Sequence, residues 1–110
     1  MGTNFSQVED AAALEELLAR SHEGPVLLFK HSNSCPISAR AYRQMQEVKA
    51  PVLIVVVQKS RDLSREVESR TGVQHETPQA LVLRNGQAVW SASHFDITSD
   101  AVEQAMRENE

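Results

Sequence analysis

The sequence has 110 residues, 41% of them hydrophobic but only 5% aromatic, so aliphatic side chains must build the core of one modest domain spanning residues 1–110. A net charge of -4 argues against a nucleic-acid-binding protein. No apolar stretch is long enough to span a membrane, and the acidic start is unlike a signal peptide. Because a lone cysteine cannot form an internal disulfide, we expect a cytoplasmic protein.

The first part of the chain predicts a helix and then a buried strand. The segment "DAAALEELLARSHEG" ends at Gly24-Pro25, a common helix stop. Four of its apolar residues share one helical face: Ala12, Leu14, Leu17 and Leu18. The short apolar run "VLLFKH" that follows Pro25 is typical of a buried strand.

A second helix and a second strand follow. From Pro36 onward, apolar residues recur at helical spacing, and Ala50-Pro51 ends the pattern. The inward residues of this helix are Ile37, Ala41, Met45 and Val48. The run "VLIVVVQ", residues 52–58, is rich in β-branched side chains, which indicates a strand covered on both faces, as in a parallel sheet.

The last part predicts a helix, a hairpin and a terminal helix. "SRDLSREVESRTG" reads as a helix with Ser60 as N-cap and Gly72 just beyond its end. Two strand-like runs meet across Asn85-Gly86, a strong hairpin signal. The terminal helix has Thr98 or Ser99 as its cap, and its expected inward residues are Ile97, Ala101, Ala105 and Met106.

The order of elements is therefore α-β-α-β-α-β-β-α. A β-α-β unit requires a parallel strand pair with a right-handed crossover, and the hairpin then adds an antiparallel strand. We expect an α/β protein with a mixed four-stranded sheet and helices on both faces.

The only cysteine lies between the first predicted strand and the next helix, in "HSNSCPIS". In open α/β sheets, ligands bind at the carboxyl ends of strands, near helix N-termini. With Pro36 as the first helical residue, Cys35 is the N-cap, and we expect its sulfur to accept hydrogen bonds from the N–H groups of Ile37 and Ser38. These bonds and the helix dipole favour the thiolate, which is the nucleophilic form.

The surroundings of Cys35 favour a reactive thiol over the alternative, a small buried hydrophobic residue. Its flanks are polar and start a helix, whereas a core position would have apolar neighbours in a periodic pattern. Lys30 and His31 are possible positively charged neighbours of the thiolate. The four histidines of the chain lack the spacing of a zinc site, so we expect no metal.

The dipeptide Thr77-Pro78 precedes the third predicted strand. The simpler interpretation is a proline at a strand start, where a missing N–H is tolerated. The alternative is a cis peptide bond that places the Thr77 backbone beside Cys35, although cis bonds are uncommon even before proline.

This pattern of elements resembles the thioredoxin fold over essentially the whole chain, and "HSNSCPIS" with the later "SASHFDIT" is similar to the monothiol bacilliredoxins. The resemblance implies that Cys35 attacks the mixed disulfide of an S-bacillithiolated protein and takes the bacillithiol onto itself. It also implies that Thr77-Pro78 is a cis-proline element that aligns the incoming disulfide. The C-P-I-S motif is completed by Pro36, Ile37 and Ser38.

Ser38 stands where dithiol enzymes of this kind carry a second cysteine. Because it cannot form a disulfide, the mixed disulfide on Cys35 must be resolved by an outside thiol, while Ser38 is expected to donate a hydrogen bond to the thiolate. Bacillithiol would thus be a cosubstrate and not a bound cofactor. The expected partners are S-thiolated proteins and low-molecular-weight thiols, with no nucleic acid and no membrane, and the oligomeric state stays open.

Two other functions are compatible with the sequence. A non-catalytic thioredoxin-like module could use the same surface to bind a protein, as the missing second cysteine suggests. A glutaredoxin-like iron–sulfur carrier is less favoured, because Pro36 replaces the flexible glycine of those proteins. The hairpin is also followed by "SASHFD" and not by their Gly-Gly and Asp.

Overall fold

The computed structural model of the protein describes residues 4–110, which form five strands, four α-helices and one 3₁₀ turn. The strands are β1 (Phe5–Gln7), β2 (Val26–His31), β3 (Val52–Val56), β4 (Gln79–Arg84) and β5 (Gln87–Ser93). The helices are α1 (Ala11–Arg20), α2 (Pro36–Gln46), α3 (Arg61–Thr71) and α4 (Ser99–Glu108), and the 3₁₀ turn His94–Asp96 precedes α4. None of these helices is long and apolar enough to cross a membrane.

The strands form one mixed sheet in the order β1-β3-β2-β4-β5. Strand β3 pairs in parallel with both β1 and β2, whereas β4 is antiparallel to β2 and β5. All six residues of the central strand β2 are buried, in keeping with its apolar run. The hairpin between β4 and β5 turns at Asn85 and Gly86, whose φ angles of 56° and 77° explain the Asn-Gly dipeptide.

The sheet separates two hydrophobic cores. Side chains alternate between the faces of a strand, so Leu28 of β2 packs with α1 and α3, while Leu27 and Phe29 pack with α2 and α4. Leu14, Leu17 and Leu18 of α1 are buried as predicted. Burial of each such side chain contributes roughly 1.5–3 kcal/mol to folding.

The prediction of a four-stranded sheet is wrong in one respect. The sheet has five strands, because Phe5–Gln7 forms an edge strand before α1. The observed order is therefore β-α-β-α-β-α-β-β-α. Only three residues pair with β3, and two of them are exposed, so no apolar alternation marks this strand in the sequence. Strand β1 forms because the backbone of β3 has unpaired N–H and carbonyl groups on the side away from β2, and β1 pairs with them.

Several helix boundaries and faces also differ from the prediction. Helix α1 ends at Arg20 and not near Gly24, because the Ser21 hydroxyl donates to the Leu18 carbonyl and the β4–β5 turn binds the Ser21 carbonyl. Helix α2 ends at Gln46, so Val48 joins the core from the following loop. Ala12 is exposed, and Val102 of α4 is fully buried where Ala101 and Met106 are only half-buried.

Candidate functional site

Cys35 lies at the carboxyl end of the central strand, three loop residues after β2. It is the N-cap of α2, with extended backbone angles (φ -111°, ψ 121°), and Pro36 is the first helical residue, as predicted. The Cys35 carbonyl accepts the N–H of Ala39 at 3.0 Å, which starts the helix. The thiol is half-buried, so a small reagent can reach it.

The predicted hydrogen bonds from the N–H groups of Ile37 and Ser38 to the sulfur are wrong, since the Cys35 side chain makes no capping hydrogen bond. Sulfur is a weaker hydrogen-bond acceptor than a hydroxyl oxygen. The partial positive charge of the α2 N-terminus remains close to the Cys35 side chain.

Ser38 is fully buried, and its hydroxyl is bound away from the sulfur. Its oxygen accepts the Ser32 N–H at 2.9 Å and lies 2.8 Å from Nδ1 of His31. Which of the two atoms donates in the contact with His31 depends on the imidazole tautomer, and neither contact of the Ser38 hydroxyl is with the Cys35 sulfur. The expected donation from Ser38 to the thiolate is thus replaced by bonds that connect α2 to the loop before Cys35.

His31 faces α2 and is 8% exposed. Its ring contacts those of Phe29 and Tyr42, with centroids 5.6 and 5.0 Å away. Burial lowers the pKa of His31 from its usual value, so the imidazole is neutral at pH 7 and can accept the Ser38 hydrogen. His31 therefore stabilises the loop and is not a positively charged neighbour of the thiolate.

Gln58, just beyond β3, clamps the same loop from the other side. Its Oε1 accepts the Asn33 N–H at 3.1 Å, and its Nε2 donates to the hydroxyls of Ser32 at 2.8 Å and Ser34 at 3.1 Å. One side chain therefore binds all three residues between β2 and Cys35. Nothing in the sequence marks this residue, because it lies more than 20 residues from the loop.

Lys30 points to the opposite face of the sheet and is fully buried. Its Nζ lies 3.2 Å from Nδ1 of His75. Burial lowers the pKa of Lys30 to about 8, against the opposing influence of Glu68, so the amine remains mostly protonated at pH 7. The contact of Lys30 is with the loop before β4, and not with the Cys35 loop as the sequence suggested.

The Thr77–Pro78 peptide bond is cis, as the resemblance implies. Pro78 is buried and directly precedes β4, whose first residue, Gln79, pairs with Lys30. The Thr77 hydroxyl lies 3.2 Å from Nε2 of His75, and the Pro78 carbonyl accepts the N–H of His94 at 3.1 Å. This segment therefore adjoins the end of β2 that leads to Cys35.

Two open clefts border the site. One, of about 500 Å³, lies against α2 and is lined by His31, Ser32 and Asn33 together with Tyr42 and the basic residue Arg43. The other, of about 470 Å³, lies against α3 and is lined mainly by polar side chains: Gln58, Arg61, Ser64, Arg65, Glu68 and His75. The first cleft also has apolar lining from Phe5, Ile54 and Val56, and Cys35 itself lines neither cleft.

An open mixed sheet with a thiol where β2 passes into α2, and a cis-proline before β4, is the arrangement of thioredoxin-like thiol redox proteins. Residues 6–102 match the family described as monothiol bacilliredoxin BrxC. The chain belongs to the monothiol bacilliredoxin family, which confirms the resemblance found in "HSNSCPIS" and "SASHFDIT". Family and fold together support a thiol redox function.

Solved structures of other proteins share this fold. A candidate oxidoreductase with a thioredoxin fold is 34% identical to the chain, with a TM-score of 0.83 over 92% of each protein. Thioredoxin from Trypanosoma brucei brucei has a TM-score of 0.75 at 10% identity, over 94% of this chain and 88% of its own. Thioredoxin from Fasciola hepatica has a TM-score of 0.73 at 11% identity, over 94% and 98%. The two thioredoxins are alike in fold alone.

Proposed function

We propose that this chain is a monothiol disulfide-exchange enzyme that removes bacillithiol from S-bacillithiolated proteins through Cys35. The observation that carries the proposal is the placement of its only thiol. Cys35 is half-buried at the N-terminus of α2, and the position of a second thiol is filled by Ser38, whose hydroxyl is buried and bound to His31 and Ser32.

The exchange proceeds in two steps. The Cys35 thiolate attacks the bacillithiol sulfur of the mixed disulfide, the bond from that sulfur to the substrate cysteine breaks, and the substrate leaves as a thiolate that takes a proton from water. A second bacillithiol thiolate then attacks the adduct, which releases oxidised bacillithiol and restores Cys35. Each step exchanges one disulfide for another, so no bound cofactor is required.

Three features support a small thiol as the exchanged group. Ser38 cannot resolve the adduct, which leaves this step to an outside thiol. The clefts beside the Cys35 loop are of small-molecule size and carry basic side chains such as Arg43 and Arg61. The Thr77–Pro78 segment adjoins the end of β2 and is the element that would align the incoming disulfide.

Mass spectrometry tests the proposal directly. Incubation with oxidised bacillithiol is expected to add one bacillithiol to Cys35, and the protein is expected to remove bacillithiol from a singly modified model protein. Cys35→Ser should abolish both reactions, because it removes the nucleophile. Ser38→Ala should slow removal by about tenfold, because it loosens the loop that positions Cys35 but leaves the thiol in place.

The rival function, a non-catalytic thioredoxin-like module that binds proteins, gives the opposite results. Such a module would acquire no bacillithiol under mild conditions, and its partners would be retained by the Cys35→Ser variant as well as by the wild-type protein. Full removal activity in Cys35→Ser would likewise show that the proposed nucleophile is the wrong residue.

A further inference from the structure

A buried polar cluster lies on the face of the sheet opposite His31 and Ser38, and the exchange steps above leave it unused. Its centre is Lys30, which is 0% exposed in the central strand among the apolar side chains packed by α1 and α3. Gln79, directly opposite Lys30 on β4, is also buried. Its amide donates to the Gln74 carbonyl at 2.9 Å, so the cluster extends to the loop between α3 and β4.

Lys30 is not explained as half of an ion pair. The ion pairs formed within residues 4–110 do not include it. The nearby carboxylate of Glu68 accepts the backbone N–H of His75 at 2.9 Å. An unpaired buried lysine is unfavourable for folding, so its place in the central strand calls for another role.

The hydrogen bonds that leave Lys30 have a defined direction. A protonated amine only donates, so His75 Nδ1, at 3.2 Å, must accept. The ring hydrogen of neutral His75 then sits on Nε2, which donates to the Thr77 hydroxyl oxygen at 3.2 Å. Lys30 thus favours one tautomer of His75, which is itself exposed, and that tautomer donates to the half-buried Thr77 side chain.

Thr77 is the residue on which this chain of bonds ends, and it directly precedes Pro78. No backbone–backbone hydrogen bond of the loops and turns within residues 4–110 involves the N–H or the carbonyl of Thr77. Within this segment both groups are therefore free of backbone partners. Fixing the side chain also restricts the backbone that carries these two groups.

We propose that Lys30 is a positioning residue that acts through the His75 imidazole on Thr77, and that it holds the Thr77–Pro78 segment in the conformation that receives the disulfide-bearing protein. This inference rests on the proposed function and adds a role for three residues to it. It differs from a direct effect of the Lys30 charge on the thiolate, because the path of contacts leads to the substrate-receiving segment and not to the sulfur.

Two rates separate these possibilities. Alkylation of Cys35 by iodoacetamide needs only the thiolate, whereas removal of bacillithiol from a model protein also needs the aligned segment. Lys30→Met, His75→Leu and Thr77→Val are each expected to slow removal by about tenfold while alkylation stays within about twofold of the wild-type rate. Lys49→Met, at an exposed position, is the matched control and should change neither rate.

Two further variants test the path itself. His75→Gln can still accept from Lys30 and donate to Thr77, so it should keep at least half of the removal rate. The double variant Lys30→Met/Thr77→Val should be no slower than either single variant, because both changes break one chain of bonds. Nitrogen-15 NMR of the imidazole should show the Nε2–H tautomer in the wild-type protein and a mixture in Lys30→Met, whatever the substrate.

Distinct results would overturn the inference. Unchanged removal in Lys30→Met, or additive losses in the double variant, would exclude a path through Thr77. Equal losses of alkylation and removal would show that Lys30 acts on the sulfur. A wild-type protein that removes no bacillithiol would contradict the proposed function, and the inference with it, even if NMR showed the expected tautomer.

Discussion

Ser38 fills the position of a second thiol with a hydroxyl whose two contacts both lead back to the segment before Cys35. A hydroxyl oxygen accepts hydrogen bonds well and is small enough for a site without solvent exposure. The same group therefore connects α2 to β2 and to the loop between them. By these bonds Ser38 helps to position Cys35. Because the bonds are buried, they should also stabilise the folded protein.

Ser38→Ala should lower the free energy of unfolding by about 1–3 kcal/mol, because the Ser32 N–H and His31 Nδ1 lose their partner in a buried site. Urea denaturation followed by circular dichroism measures this difference. Ser69→Ala, at an exposed position on α3, is the matched control and should stay within about 0.5 kcal/mol of the wild type. Equal stabilities of the two variants would contradict the assigned role of Ser38.

Among the helices, α1 and α4 begin with a capping side chain and α2 and α3 do not. Asp10 accepts the Ala13 N–H at 2.8 Å, and Thr98 accepts the Ala101 N–H at 3.2 Å. Cys35 and Ser60 precede α2 and α3 without such a bond. The helices that follow β2 and β3 therefore begin without a side-chain cap, which leaves their first N–H groups to solvent or to a ligand.

This difference between caps can be measured with one type of substitution. Thr98→Ala should lower the free energy of unfolding by about 1 kcal/mol, because it removes a capping hydrogen bond. Ser60 occupies the equivalent position before α3 but makes no capping bond. Ser60→Ala should therefore lower the free energy of unfolding by only about 0.3 kcal/mol. Comparable losses in the two variants would show that the observed caps do not stabilise the helices.

The elements that the sequence predicts well are those with local chemical signals. Pro36 at the start of α2, Gly72 in the left-handed region after α3 (φ 74°) and Asn85-Gly86 in the hairpin each follow from the backbone preference of the residue itself. Strand β1 and the early end of α1 at Ser21 depend on distant partners, β3 and the hairpin turn. Local patterns contain no information about those pairings.

The candidate site divides along the same line. Cys35 and the cis Thr77–Pro78 bond could be placed from the motif and the family resemblance. The partners of Lys30 could not, because His75 lies 45 residues away and the two meet only through the pairing of β2 with β4. The orientation of the Ser38 side chain could not be predicted either, since the position of its nearest partner, His31, depends on the path of the loop.

At the scale of the whole molecule, polar burial is concentrated at one end of the sheet. Within residues 4–110 six polar residues are buried, and four of them lie on β2, α2 or β4 near the strand end that leads to Cys35: Lys30, His31, Ser38 and Gln79. The other two are the small residues Ser21 and Ser64, and the side chains that form the two cores are aliphatic or aromatic. The molecule therefore has a stable apolar body and a polar end that lowers its stability, as is common where a site is built for function.

The free energy of unfolding should depend on pH, because Lys30 at this polar end has a lowered pKa. The pKa of Lys30 is about 8 in the folded protein against a usual 10.5, so between these values the unfolded chain binds more protons and the free energy of unfolding rises with pH. The rise should reach about 3 kcal/mol. Lys30→Met should lack the rise and should be more stable than the wild type at pH 7.

Urea unfolding at pH 7, 8, 9 and 10 measures both quantities, with the exposed Lys49→Met as the control for loss of one charge. The control should show the same rise as the wild type. A parallel rise in Lys30→Met would show that the buried lysine titrates normally. A stabilised Lys30→Met that is slow in exchange would mean that the lysine is kept for function at the expense of stability.

The buried hydroxyl of Ser38 also bears on how such proteins can change over evolutionary time. Serine and cysteine codons can differ by one base, so a descendant with a second thiol is a single mutation away in the gene. In the protein that step is unfavourable, since a thiol accepts hydrogen bonds weakly and would release both Ser32 and His31. A descendant with a second thiol at this position would therefore need compensating changes in the loop before Cys35.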